Sequence, residues 1–334
     1  MNEAGARGVA MVRRVLGRRR SGVRLPYGPD CPVVYDKDAV SNCYTDDYVM
    51  ALASAGGIRL KGMLTSSSVA PFNPWVSEED YEGFVEQRRQ AIEVARQSGL
   101  RDLPDPVRGT KGHLVRPDSG SIADTEPLAS EGSFLIVREA RSADPARPLL
   151  VLAAGPLTVV ADACLLDPAI TDRLVVAWFG GRLEDMGDYN GWADPWSAYI
   201  VVNSCRVVQF PAKLKGGKFR QSPVVPKARL DELPATPLRD WMIAKRHPNL
   251  ESTDTDPDAP PAISVVRSDY VRSVRRVSFG DWIAVNGREV PSFVPDPIGR
   301  TRVVTKASQA VATEEWWRAL SDPAVYPGRG SIRA

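Results

Sequence analysis

Histidine is nearly missing from this 334-residue chain: there are two, His113 and His247, beside four cysteines, Cys31, Cys43, Cys164 and Cys205, with no Cys-x-x-Cys pair. That poverty argues against a zinc site. Nothing in the cysteine spacing calls for an oxidising compartment, so reduced thiols in a cytoplasmic protein are expected. Long apolar runs are lacking as well. The longest uncharged one, Pro148 to Ala161, has 14 residues with Gly155-Pro156 in its middle, short of the roughly 18 to 20 that span a bilayer. No transmembrane helix is expected. Net positive charge is lacking on the body of the chain: the formal net charge is +2, but residues 1–24 hold seven Arg and one Glu, which leaves the remainder at −4. A nucleic-acid binder carries its positive charge on the folded domain. Here it sits on an arm (Arg13, Arg14, Arg18, Arg19, Arg20) with no apolar segment behind it, which argues against a secretory signal and against nucleic-acid and membrane partners.

What is present is ordinary for a folded chain: 25% charged and 43% hydrophobic residues. Residues 1–28 read as a disordered basic arm, and 29–334 as one large domain with long loops. Along it strands and helices alternate. Pro32 to Tyr35 is a short buried strand; Asp46-Asp47 opens a helix through Ala55; Ile58 to Leu64 is a second strand; Ser77-Glu78-Glu79-Asp80 caps a helix reaching about Ser98. A Pro- and Gly-rich loop, Asp102 to Ser130, reads as a lid or binding insertion. A helix around Phe134 to Ala140 follows, then a strand to Ala153, a helix through Leu165, strands at Leu174 to Phe179 and Arg206 to Phe210 with a helix from Asp194-Pro195 between them, a helix at Leu238 to Lys245, a strand at Arg302 to Thr305 and a helix at Thr313 to Leu320. Such alternation predicts an α/β fold, an open and mostly parallel sheet with helices on both faces.

In such sheets ligands sit outside the carboxyl ends of the strands. At the first of these ends stand Asp36, Asp38, Asp46 and Asp47, four carboxylates within 12 residues. So much like charge needs a compensating cation, and all-oxygen ligation from an irregular loop suits Ca²⁺ better than Mg²⁺. The plainer alternative is that Asp46 and Asp47 merely cap a helix.

With these residues in view, the chain resembles the nucleoside hydrolases of the inosine-uridine-preferring type, whose first strand ends in Asp-x-Asp-Pro-Gly-x-Asp-Asp. Here Asp36-Lys37-Asp38 is followed by a longer loop carrying Asn42 and Cys43, without the Pro-Gly, and then Asp46-Asp47. Gly155-Pro156-Leu157-Thr158 resembles the segment whose Thr carbonyl binds calcium. Val175 to Gly181 resembles the strand ending in Gly-Gly. Asp188-Tyr189-Asn190 with Asp194-Pro195 resembles the stretch that holds ribose hydroxyls, and Phe279-Gly280-Asp281 lies where the family has His-Asp.

The resemblance implies a calcium-dependent hydrolase of the N-glycosidic bond of a nucleoside or ribosylated small molecule, forming a homodimer or tetramer. Its metal ligands would be Asp38, Asp47, Thr158 and Asp281. Asp38 would also be the catalytic base on a metal-bound water, and Asp46, Asp188, Asn190, Asn42 and Trp282 would line the substrate. Gly280 replaces the leaving-group His, so another acid (His247, Tyr189 or Tyr270), aromatic stacking by Trp282, Trp316 or Trp317, or an undemanding leaving group must compensate. Two alternatives stay open: a non-catalytic ligand- or metal-binding protein on the same fold, and a glycosidase acting on a non-nucleoside sugar.

Overall fold

The computed structural model describes residues 22–214, 217–218, 221–246, 250, 254–322 and 324. Nine strands form one sheet: β1 (Pro32–Lys37), β2 (Arg59–Thr65), β3 (Pro106–Arg108), β4 (Leu149–Ala154), β5 (Leu174–Phe179), β6 (Arg206–Phe210), β7 (Val271–Val285), β8 (Arg288–Pro295) and β9 (Thr301–Ala307). Their order is β8-β7-β9-β6-β5-β4-β1-β2-β3. The seven strands from β9 to β3 are mutually parallel, and β7 runs antiparallel against both β9 and β8.

The helices are α1 (Thr45–Ser54), α2 (Glu78–Gln97), α3 (Glu131–Ser142), α4 (Thr158–Leu166), α5 (Tyr189–Ala193), α6 (Pro195–Ser204), α7 (Pro237–Ala244), α8 (Pro260–Val266) and α9 (Gln309–Ser321). The central strands are apolar throughout because helices cover both faces. Alternate residues of one strand therefore enter different cores. Val33, Tyr35, Leu150, Leu152, Val175 and Ala177 pack with α1, α2, α8 and α9, whereas Val34, Val151, Val176 and Trp178 pack with α3, α4 and α6. Among the described residues no helix is long and apolar enough to cross a membrane.

The chain runs from β1 outward to β3, then returns to β4 on the other side of β1 and continues outward through β5 and β6. The β1/β4 junction is thus the topological switch point, where a crevice opens beyond the strand ends. Two expectations change. The loop from Asp102 to Ser130 is no lid over this crevice: it contributes the edge strand β3 and then lies along the α4 and α6 side, with the backbone N–H of Leu114 on Asp194 and those of Leu128, Ala129 and Ser130 on Asp162. The arm ends earlier than residue 28, because Val23, Leu25 and Tyr27 lie against the core and the Val23 N–H donates to the Val271 carbonyl at 3.0 Å. Residues 1–21 of the arm lie outside the described residues.

Candidate active site

A cavity of about 640 Å³ opens at the switch point. Asp38, Ala39 and Asn42 from the β1–α1 loop, Ala154 from the end of β4 and Phe179 from the end of β5 line it, together with Ser67, Asp188, Tyr189, Asn190, Pro257 and Asp258. Trp75, Trp192 and Phe84 add an aromatic wall, the Trp75 and Trp192 rings stacking at 4.7 Å. Arg182 and Asn286, the latter at the β7–β8 turn, complete the rim.

The glycine of Gly155-Pro156-Leu157-Thr158 has a steric reason. A Cβ at Gly155 would stand 3.0 Å from the Asp38 backbone nitrogen, tighter than side chains ordinarily pack, so glycine lets the end of β4 approach the Asp38 loop without displacing it. Asp38 is buried, and its Oδ1 accepts the Ala39 N–H at 2.7 Å. Burial raises its pKa to about 6 against the pull of the neighbouring Lys37 ammonium, with the Asp258 carboxylate adding to the rise. Asp188 caps α5 and accepts the N–H of Gly191 at 3.0 Å and that of Gly181 at 2.5 Å; burial takes it to about 6 also. Gly181 reaches it with φ at +68°, a backbone state that suits glycine. The Asn190 amide donates to the Phe179 carbonyl at 2.8 Å, which orients it at the cavity wall.

Strand alternation decides what sits beneath. Val33, Tyr35 and Lys37 point to the same face, so the Lys37 side chain enters the acidic loop. It is fully buried. Its ammonium donates to the Ala39 carbonyl and to Asn42 Oδ1, lies 3.3 Å from Asp258 Oδ2, and is 3.9 Å from Asp38 Oδ1. Burial alone would lower its pKa, but Cys43, Asp258, Asp38 and Asp46 around it outweigh that, and it is raised. Asp36 accepts the Ser66 hydroxyl at 2.7 Å, and the remaining two carboxylates are answered in kind. Asp46 pairs with buried Arg88 of α2, and Asp47 with buried Lys245 at 2.6 Å, whose ammonium also reaches the Cys43 carbonyl at 3.2 Å.

Of the expected site residues, the structure brings Asp38, Asn42, Asp188 and Asn190 to one cavity. Asp46 and Asp47 lie below it, committed to Arg88 and Lys245. The Thr158 hydroxyl donates to Asp194 at 2.8 Å, and Thr158 does not line the cavity. Asp281 is not brought to Asp38: it sits exposed on the part of β7 paired with β8 alone, where its carboxylate accepts the Trp282 N–H at 2.8 Å. Trp282 stacks with Trp196 and Tyr199 beneath the Arg116 guanidinium and lines a different cleft. The carboxylate that does meet Asp38 is Asp258, in the segment leading into α8. Sequence reading missed it, although an Asp two residues ahead of an apolar Pro-started helix was a usable signal. It also passed over Lys37, Trp75 and Trp192.

Calcium does not fit this arrangement. The cation demanded by the acidic loop is supplied by Lys37, Arg88 and Lys245. One oxygen each of Asp36, Asp46 and Asp47 has no partner; Asp46 and Asp47 each carry a buried cation, and Asp36 holds the Ser66 hydroxyl. Among the described residues no group of three or more His, Cys, Asp or Glu side chains is arranged to hold a metal ion.

No family model and no curated protein matches the sequence. Solved structures do. A plant nucleoside hydrolase superposes with a TM-score of 0.62 at 12% identity, over 88% of this chain and 100% of that one. An inosine-guanosine nucleoside hydrolase gives 0.60 at 17% identity, over 86% and 98%. The type III effector protein XopQ, complexed with adenosine diphosphate ribose, gives 0.52 at 11% identity, over 97% and 100%. The chain thus has the nucleoside hydrolase fold. The likeness shows that fold at large and does not single out its inosine-uridine-preferring branch.

Proposed function

We propose that this chain hydrolyses the N-glycosidic bond of a nucleoside or ribosylated small molecule bound in the switch-point cavity. One observation carries the reading: Asp38, a buried carboxylate with pKa raised to about 6, faces an aromatic-walled cavity beside Asn190 and Asp188. A base poised near neutral pH suits proton abstraction from water. Asp38 takes the proton as the water oxygen attacks the anomeric carbon, and the carboxylates of Asp38 and Asp258 favour the positive charge that develops on the sugar. Trp75, exposed and backed by the buried Trp192 ring, offers a flat face on which a leaving base stacks.

The leaving group needs a proton. Of the three acids left open by the sequence, Tyr270 is buried in the core and donates to the Gln221 carbonyl, and His247 lies outside the described residues. Tyr189 lines the cavity, and its oxygen accepts the Asn73 amide at 2.9 Å, which leaves its own proton free to donate. We assign it the donor role. The nucleoside hydrolases that share the fold, and the adenosine diphosphate ribose held by XopQ, support a ribose-bearing ligand. The 102–130 loop, an insertion that could have held a larger non-nucleoside sugar, does not line the cavity. The acidic loop's self-sufficient ion pairs favour a second reading, binding without turnover.

Tryptophan fluorescence titrated with a panel of ribosides, with release of reducing sugar followed in parallel, tests the proposal. Asp38→Asn is expected to keep riboside affinity within a few-fold and to lose roughly 10²-fold or more in release. Binding with no release in the wild type selects the second reading, and no binding of any riboside overturns both.

A further inference from the structure

We infer that the Lys37 ammonium is the resident cation of this site, standing in for a divalent metal, so that the protein takes its ligand without one. A buried ammonium is tolerated only when its charge is balanced and its donors are met. Here three acceptors, the Ala39 carbonyl, Asn42 Oδ1 and Asp258 Oδ2, meet the three donors of Lys37, and Asp38 Oδ1 adds its charge at 3.9 Å. Every one of these acceptors is a hard oxygen of the kind a calcium ion would use. They converge instead on a cation carried by β1 itself.

The arrangement has consequences that a metal site lacks. The ammonium is covalently tethered, so its occupancy does not vary with ion concentration, and no chelator removes it. The Lys37 side chain is fully buried, so a divalent ion could occupy these oxygens only by displacing a like charge. Lys37 is a positioning residue: it fixes Asn42 and Asp258 at the cavity wall and sets the direction of Asp38. The extension to ligand binding rests on the reading of the cavity as a riboside site, whereas the identity of the cation is tested by calcium alone.

Calcium chloride titrated calorimetrically into chelator-stripped wild-type protein, with Tm measured in EDTA and in calcium chloride, reads the assignment directly. The expected result is no saturable heat and the same Tm in both. Saturable binding of one calcium per chain that raises Tm overturns it. Lys37→Ser leaves Asp38, Asn42, Asp258 and the Ala39 carbonyl around an empty, negatively charged space. This variant is expected to lose roughly 5 °C or more in EDTA and to recover in calcium chloride, whereas Lys37→Met, which fills the space, is expected to lose as much and recover nothing. A Lys37→Ser protein with wild-type Tm in EDTA would also overturn the assignment. Where that variant does not fold, the wild-type titration decides. Riboside titrations in EDTA separate the two claims. Riboside binding that requires calcium refutes the lysine assignment and spares the riboside reading; a wild type that ignores both calcium and every riboside does the reverse.

Discussion

Tyr189 and Asp38 face one another's chemistry across the cavity, and they make distinct predictions. As the proposed base Asp38 acts on water, so Asp38→Asn should slow every substrate alike. As the proposed donor Tyr189 acts on the departing base, so Tyr189→Phe should depend on what departs: a fall of roughly 10²-fold for a purine riboside and little change for a riboside of a nitrophenol, whose anion leaves unaided. Steady-state kinetics on the two substrates check this, and an equal loss on both would remove Tyr189 from the donor role. At this scale the sequence was a partial guide. Asp38, Asp188 and Asn190 were legible because each stands directly after a strand or at a helix start, and Asn42 because it lies in the loop that joins β1 to α1. Lys37 was not, because a motif reading treats the residue between two aspartates as filler, while strand alternation places it on the inward face with Tyr35. Asp258 was hidden in a run of Asp, Thr and Pro residues that reads as connection.

Individual elements are joined at the site by buried charge. Arg88 of α2 reaches Asp46 on α1, the Lys37 carbonyl at the end of β1 at 3.2 Å and Thr65 Oγ1 at the end of β2 at 3.3 Å. Removing it strands a buried carboxylate. Arg88→Met should cost about 3–5 kcal/mol, measured by urea unfolding, and a change below 1 kcal/mol would show that the clamp contributes little. Gly155→Ala acts differently, since its Cβ pushes the Asp38 loop away from β4. Its kcat should drop roughly ten- to a hundredfold with Tm lowered by only a few degrees, and kinetics beside thermal unfolding distinguish the two effects. Helices and central strands were readable in sequence: the apolar runs at 174–179 and 206–210 coincide with β5 and β6, and the Ser77/Asp80 capping box starts α2. The β7–β8 hairpin was not. Its strands are half-exposed and Arg- and Ser-rich, and their register depends on partners far away in sequence, so Phe279-Gly280-Asp281 looked like a site motif. α8 was missed because Pro260-Pro261 reads as a break although it occupies the first turn, where proline is tolerated.

Across the whole molecule, the buried carboxyls set the pH response. Burial raises Asp36 to about 7 and Asp38, Asp47, Asp188, Asp194 and Asp256 to about 6. A carboxyl with a raised pKa holds its proton more tightly in the folded state than in the unfolded one. The stability this contributes is complete below about pH 4 and is lost as pH climbs through 6 to 7. Exposed groups with lowered pKa, such as Asp80, Glu82 and Glu86, work the other way but count for little in solvent. Tm at constant ionic strength should therefore be higher at pH 5 than at pH 8, and a Tm that rises steadily over that range would contradict this account of the interior.

The central claim is a riboside-cleaving site whose cation is part of the chain. Its most direct test is release of reducing sugar from purine and pyrimidine ribosides by wild-type protein held in EDTA, beside the same protein in calcium chloride. Release in EDTA at the full rate, lost in Asp38→Asn, is the expected result. Release that vanishes in EDTA and returns with calcium would contradict it.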